Sequence, residues 1–259
     1  MTSEIKIEHR AGVLILTIAR PDKKNALTNA MYGALADAID SASSDSETRV
    51  IVIQSEGDLF SAGNDIGEFA ARASGHELKE RHVDRFLRAL ASTSIPLVAA
   101  VQGKAIGVGA TMLLHCDHVI LAENAQLITP FIDLALVPEA ASSILLPLRI
   151  GYARAFEMFA FGAPLPAATA LAWGLANKVV PNADVQSEAR RAAERIASKP
   201  SGAMIAMKRL MRDSEQLVSQ IDVELDVFAK RLQSDEAREA FAAFSEKRKP
   251  DFSRIRERK

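Results

Sequence analysis

Three short apolar runs constrain the fold more than any other feature of the chain: Val50-Ile-Val-Ile53, Pro96-Leu-Val-Ala-Ala-Val101 and His118-Val-Ile-Leu-Ala122. Each reads as a strand buried on both faces. Helical patterns separate the first of them from its neighbours. Thr28 is placed to cap a helix whose apolar face is Met31, Leu35, Ala38 and Ile39, with Leu27 before the cap able to pack on Tyr32. A second helix is expected around Glu77 to Ala91, with Val83, Phe86, Leu87 and Leu90 at helical spacing. Strands alternating with helices argue for an α/β fold with parallel strands. At the N-terminus, Ile5, Ile7 and His9 and then Val13, Ile15 and Thr17 alternate about Arg10-Ala-Gly12, which predicts a β-hairpin.

From about Val185 the pattern is helical to the end, and Phe241 and Phe244 fall on one face of a late helix. The break Ile196-Ala-Ser-Lys-Pro-Ser201 divides a core of residues 1–196 from a helical region of residues 197–259. The apolar faces of that region need a partner, so packing between subunits is expected. The longest uncharged stretch, Met158 to Ala176, is interrupted by Gly162, Pro164, Pro166 and Gly174. It reads as two helices joined by a turn rather than a membrane span. With 48% hydrophobic residues, 25% charged residues and a net charge of −1, the 259-residue chain has globular composition and no electrostatic footprint for nucleic acid. A charged N-terminus argues against a signal peptide. A single cysteine, Cys116, excludes a disulfide framework and fits a cytoplasmic, reducing compartment.

Two glycine-rich loops each follow a buried strand: Phe60-Ser-Ala-Gly-Asn-Asp-Ile66 and Gly103-Lys-Ala-Ile-Gly-Val-Gly109. The second opens a helix, where free N–H groups favour negative charge. Two such loops could each aim one amide at a developing oxyanion, or they could be ordinary strand exits. A dinucleotide fingerprint fails because Met112 stands where a third glycine is required and no ribose-binding acid follows. A phosphate-binding P-loop fails on spacing.

Four segments in register resemble the successive signatures of the crotonase (enoyl-CoA hydratase/isomerase) superfamily. They are Asp22-Lys-Lys-Asn-Ala-Leu27, the loop 60–66, Pro96-Leu-Val-Ala-Ala-Val-Gln-Gly103 and Gly107-Val-Gly-Ala-Thr-Met-Leu-Leu-His-Cys-Asp117. The resemblance implies an α/β crotonase-like spiral of ββα units with a C-terminal helical trimerisation region. It implies a homotrimer or dimer of trimers, and a coenzyme A thioester as substrate without metal or other cofactor. The oxyanion amides carry over to Asn64 and Val108. Lys24, Ala26, Ala62, Asp65, Ile66, Ile106 and Phe131 match positions around the thioester and its nucleotide. Glu246-Lys-Arg-Lys-Pro-Asp-Phe252 resembles a segment that reaches a neighbouring subunit's nucleotide pocket, although a solvated helix end reads equally well.

Hydrating members carry two glutamates at places held here by Thr111 and Phe131, neither of which can work as the required acid–base group. Thr111, Thr129-Pro-Phe131 and Pro138-Glu139 with Ser142-Ser143 resemble instead the peroxisomal-type Δ3,Δ2-enoyl-CoA isomerase branch. Glu139 would there move a proton from C2 to C4 of a 3-enoyl thioester. Phe131, Val108 and Leu136 are expected to surround it, raise its pKa and exclude water. Without the resemblance, Glu139 reads as an acid favoured at the start of a helix over Ala140 to Leu146. Asp133 is the best spare acid, a candidate supporting partner of the site or a co-base. Asp65 is expected to brace its loop and Asp117 to be structural. His115, Cys116, Asp117 and His118 could suggest a triad or metal site, but the spacing favours structural roles. The alternatives to an isomerase are an enoyl-CoA hydratase and a non-catalytic acyl-CoA-binding homologue.

Overall fold

The computed structural model describes residues 2–68 and 80–255. The N-terminal hairpin forms as expected from strands β1 (Ile5–Arg10) and β2 (Val13–Ile18), with Arg10 opposite Val13. Ala11 and Gly12, at φ 50° and 78°, supply the left-handed turn that this closure needs. β2 then runs parallel to β3 (Val50–Ser55), which runs parallel to β4 (Leu97–Val101). β5 (Lys104–Ile106) leaves for a second sheet, and β6 (His118–Ala122) returns to the first beside β4. β7 (Gln126–Ile128) pairs in parallel with β5 in the second sheet and antiparallel with β8 (Leu165–Pro166). β9 (Lys178–Val180) closes the first sheet, whose order is β1-β2-β3-β4-β6-β9. From β4 to β7 consecutive strands thus step between the two sheets.

Helix α1 (Asn29–Ser44) begins at Thr28, whose Oγ1 accepts from the Met31 N–H at 3.3 Å. Leu27 and Tyr32 are both buried at this end, 1% and 3% exposed. Helix α2 (His82–Ser92) starts later than the expected Glu77, with residues 77–79 outside the described residues. Phe86, Leu87 and Leu90 bury its inner face. Helix α3 (Val108–Thr111) is one turn long and continues as a 3-10 turn over Met112–His115. Helices α4 (Ser142–Ile150), α5 (Tyr152–Phe161) and α6 (Ala167–Ala172) follow, and the turn at Gly162 separates the last two as anticipated. Helix α7 (Val185–Ala197) covers the far face of the first sheet, its Ala189 and Ala193 packing among Val52, Val98 and Ile120.

Helices α8 (Ser201–Met211), α9 (Ser214–Leu232) and α10 (Asp235–Ser245) complete the described chain. α9 lies along α2 and buries Leu217, Ile221, Glu224, Leu225, Phe228 and Leu232. Phe241 and Phe244 both lie on α10, one step of three residues apart and so on one face as expected, but only Phe241 is buried, beside Phe131 and Phe228, while Phe244 is 55% exposed. Among the described residues no helix is long and apolar enough to cross a membrane.

Candidate active site

The two glycine loops are joined by backbone. Ser61 pairs with Ala105 of β5, its N–H donating to Lys104 O at 3.2 Å while Ile106 N–H donates to Ser61 O at 2.9 Å. On its other side the loop pairs with Leu27, whose N–H donates to Gly63 O at 2.8 Å. Gly63, at φ +87°, lies so close to the second loop that an added Cβ would stand 2.8 Å from Ile106 O. Gly107 turns left-handed at φ +56° and makes Val108 the first residue of α3. Asn64 and Val108 therefore each follow a glycine of positive φ, on two loops that approach closely at Gly63 and Ile106. Among the described residues neither of their amides donates to any group. For Val108 that is what the first turn of a helix leaves over. The Asn64 side chain is engaged separately, its Oδ1 accepting from the Tyr32 hydroxyl at 2.6 Å, so α1 braces the loop.

One helical turn after Val108, Thr111 Oγ1 donates to Glu139 Oε1 at 2.7 Å. Glu139 is 3% exposed. Burial pushes its carboxyl up to about 7, against the pull of the Thr111 hydrogen bond, and the charges of Glu224 and Asp84 push the same way as burial. The helix-start reading of Glu139 is corrected by the backbone. α4 begins only at Ser142, and between it and Glu139 lie Ala140 and Ala141, both left-handed at φ 63° and 52°. Such a conformation costs roughly 1–3 kcal/mol per non-glycine residue and persists only where its surroundings enforce it. The turn directs the carboxyl to Thr111 rather than along the helix axis.

Two buried side chains hold that turn. His115 Nε2 donates to Ala140 O at 2.7 Å, while Nδ1 accepts from Arg212. These partners fix a neutral imidazole with its proton on Nε2. Burial, with the cations Arg212, Arg149 and Lys208 nearby, pushes its pKa down to about 3. Glu224 of α9 accepts from the Ala141 N–H at 2.6 Å, from the Ser143 N–H at 3.0 Å and from the Ser143 hydroxyl. It is 5% exposed, and burial raises its pKa against these three donors.

The structural reading of residues 115–118 agrees with the geometry. His115 supports the turn, and Asp117 accepts from the Leu97 N–H at 2.8 Å and from Lys208 Nζ at 2.7 Å. Cys116 is buried, which pushes its thiol up to about 12. Among the described residues no group of three or more His, Cys, Asp and Glu gathers to hold a metal ion.

The remaining candidates separate into near and far. Lys24 is exposed and left-handed, and its carbonyl accepts from the Ala62 N–H at 3.0 Å, so the segment Lys24–Ala26 borders the first loop. Asp65 accepts from Arg20 at 2.7 Å and from the Gly67 N–H at 2.9 Å. Burial works to raise its pKa, but Arg20 and these amides outweigh it and hold the carboxyl below the usual range. Ile66 is 37% exposed, and Ile106 is half-buried at the end of β5. Phe131 and Leu136 belong to an apolar cluster with Phe228, Leu232 and Phe241, and Phe131 tilts against Phe159 at 6.3 Å. Asp133 is exposed and lies over Gly162. The carboxyls whose charges act on Glu139 are Glu224 and Asp84. The segment 246–252 is exposed, with Arg248 paired to Glu239 and Glu246 of its own chain.

Glu224, Arg212 and Asp84 do not stand out in the sequence, and Tyr32 enters there only as a packing partner of Leu27. For Glu224 a signal existed: it falls on the buried stripe Leu217, Ile221, Leu225, Phe228 and Leu232, where an acid is out of place unless partnered.

Comparison with known proteins gives concordant matches. A family model described as enoyl-CoA hydratase/isomerase matches residues 8–255. The chain is 35% identical over 253 residues to a probable enoyl-CoA hydratase of Rhodobacter capsulatus, covering 96% of this chain and 97% of that protein. It is 36% identical over 216 residues to enoyl-CoA delta isomerase 2 of Rattus norvegicus, covering 82% of this chain and 55% of that protein. Among solved structures, an enoyl-CoA hydratase/isomerase from Pseudoalteromonas atlantica superposes with a TM-score of 0.92 at 40% identity, covering 96% of this chain and all of that one.

Proposed function

The chain belongs to the enoyl-CoA hydratase/isomerase family and has the crotonase fold, and on that premise we propose that it is an enoyl-CoA isomerase moving a double bond from the 3- to the 2-position of an acyl-CoA thioester. The observation that carries this reading is the buried Glu139 carboxyl held at 2.7 Å by Thr111, one helical turn after the Val108 amide that has no acceptor, with burial raising the carboxyl toward 7. The thioester oxygen accepts from the amides of Asn64 and Val108. Glu139, ionised, takes a proton from C2. The electron pair of that C–H bond spreads into a dienolate whose charge rests on the thioester oxygen. The protonated carboxyl then returns the proton to C4, leaving the double bond between C2 and C3. One group near the working pH serves both steps. Its burial also keeps water from the dienolate.

In this reading Lys24, Ala26, Ala62, Asp65, Ile66 and Ile106 border the coenzyme A end, and Phe131 stands on the acyl side. Residues 197–259 are the assembly region of a homotrimer or dimer of trimers. Met207, Leu210, Met211, Val223 and Val227, exposed on α8 and α9, support that assignment.

A hydratase is the second reading, favoured by the charge of Asp84 acting on Glu139 and by the Rhodobacter relative. Two assays separate them. A 3-enoyl thioester should gain the absorbance of a conjugated thioester. A 2-enoyl thioester in water should keep it. Rapid loss of absorbance from the 2-enoyl substrate, with no turnover of the 3-enoyl one, would sink the isomerase.

A further inference from the structure

We propose that Glu224, in the C-terminal helix α9, is a positioning residue for Glu139: by accepting from the Ala141 and Ser143 amides it holds the left-handed turn that aims the Glu139 carboxyl at Thr111. The proposal rests on the isomerase reading for its rate effects but not for its geometry. Ala140 and Ala141 are both left-handed, which alanine does not adopt unaided. The turn is fixed at two points, by His115 on Ala140 O and by Glu224 on Ala141 N. Glu224 reaches it from 83 residues along the chain, between the core positions Ile221 and Leu225. Every partner of Glu224 donates: the Ala141 and Ser143 amides, the Ser143 hydroxyl and the Gln220 side chain, whose Nε2 also donates to that hydroxyl at 3.0 Å. A carboxylate satisfies that set and a neutral acid would not.

The position has a second consequence. The groups that act electrostatically on Glu139 are Glu224 from α9 and Asp84 from α2, with the Thr111 hydroxyl bonded from α3. A buried negative charge at 224 raises the energy of the ionised Glu139 and so makes it a stronger base. Neutralising it weakens the base and moves its titration to lower pH.

The test is Glu224→Gln in the full-length enzyme. The Glu139 titration is followed by NMR of carboxyl-13C-labelled glutamate, its signal identified by loss in Glu139→Gln. The expected result is a Glu139 midpoint shifted down by about half a pH unit or more, and a matching shift in the acidic limb of kcat/KM on a 3-enoyl thioester. kcat should fall by about tenfold or more, with the Kd for butyryl-CoA within about twofold of wild type. Glu224→Asp keeps the charge on a shorter arm, so it should lower kcat and leave the midpoint in place. If Glu224→Gln does not fold, the same titration in Ala141→Gly with Glu224→Gln, where glycine removes the left-handed cost, answers the question. An unmoved midpoint together with unchanged kcat, in a folded variant of lower Tm, would reduce Glu224 to a cap and overturn the proposal. Undiminished turnover in Glu139→Gln would overturn the isomerase reading alone, since the midpoint at Glu139 would still report on Glu224.

Discussion

A carboxyl that is 3% exposed and half-ionised near neutral pH sets opposite demands on activity and stability. As a base Glu139 is useful only when ionised, so kcat/KM should fall as pH drops through about 7. Replacement by Gln should reduce turnover by about 10²–10⁴-fold while leaving acyl-CoA binding intact, a difference read by steady-state kinetics beside calorimetric titration. Stability runs the other way. Below 4.5 both folded and unfolded chains hold this proton, while between 4.5 and about 7 only the folded chain does. Stability therefore declines as pH rises across that window and levels off above it. Glu139→Gln should accordingly be more stable than wild type by ~1–3 kcal/mol at pH 8 and nearly equal to it near pH 4.5, as urea unfolding would measure. Thr111→Val should act in the opposite sense to Glu224→Gln. It removes the hydroxyl that favours the ionised carboxyl, so the acidic limb should move to higher pH.

At the scale of elements, the first glycine loop depends on close packing that only glycine permits. Gly63→Ala would press a methyl against Ile106 O and place alanine at φ +87°. We expect a loss of ~1–3 kcal/mol in stability and a fall in kcat of about tenfold or more as the Asn64 amide is displaced, seen by thermal unfolding and single-turnover kinetics. Strands β3, β4 and β6 could be read from the sequence because burial on both faces favours an almost continuous aliphatic run. Thr28 could be read because a capping hydroxyl acts within three residues. The Ala140–Ala141 turn could not, since nothing in an alanine pair announces φ above zero. Its enforcement comes from His115 and Glu224, one in a 3-10 turn and the other in a helix of unremarkable composition. The same distance explains Asp133. It is near Phe131 in sequence, but the 3-10 turn at Ile132–Leu134 sends its side chain over Gly162. Asp84 reaches the acid instead because α2 lies against α9.

Across the whole molecule, α8 is pinned to the sheet by one buried lysine. Lys208, 6% exposed, donates to Ile95 O at 2.8 Å and to Asp117, which also receives the first amide of β4. Breaking a fully buried pair costs about 3–5 kcal/mol. The Asp117 side chain is 34% exposed, so Lys208→Met should cost less, about 1–3 kcal/mol, detectable as a lower Tm with kcat preserved. The oxyanion grip, for its part, is made of peptide groups locked by strand pairing and by the close approach of Gly63 to Ile106, whereas the proton-moving apparatus is made of side chains. Mutation can therefore exchange the acids around a bound acyl carbonyl without loosening the hold upon it. What is inherited as a handle for the ligand and what is inherited as a reaction are stored in different parts of the polymer, so close kin can share the one and diverge in the other.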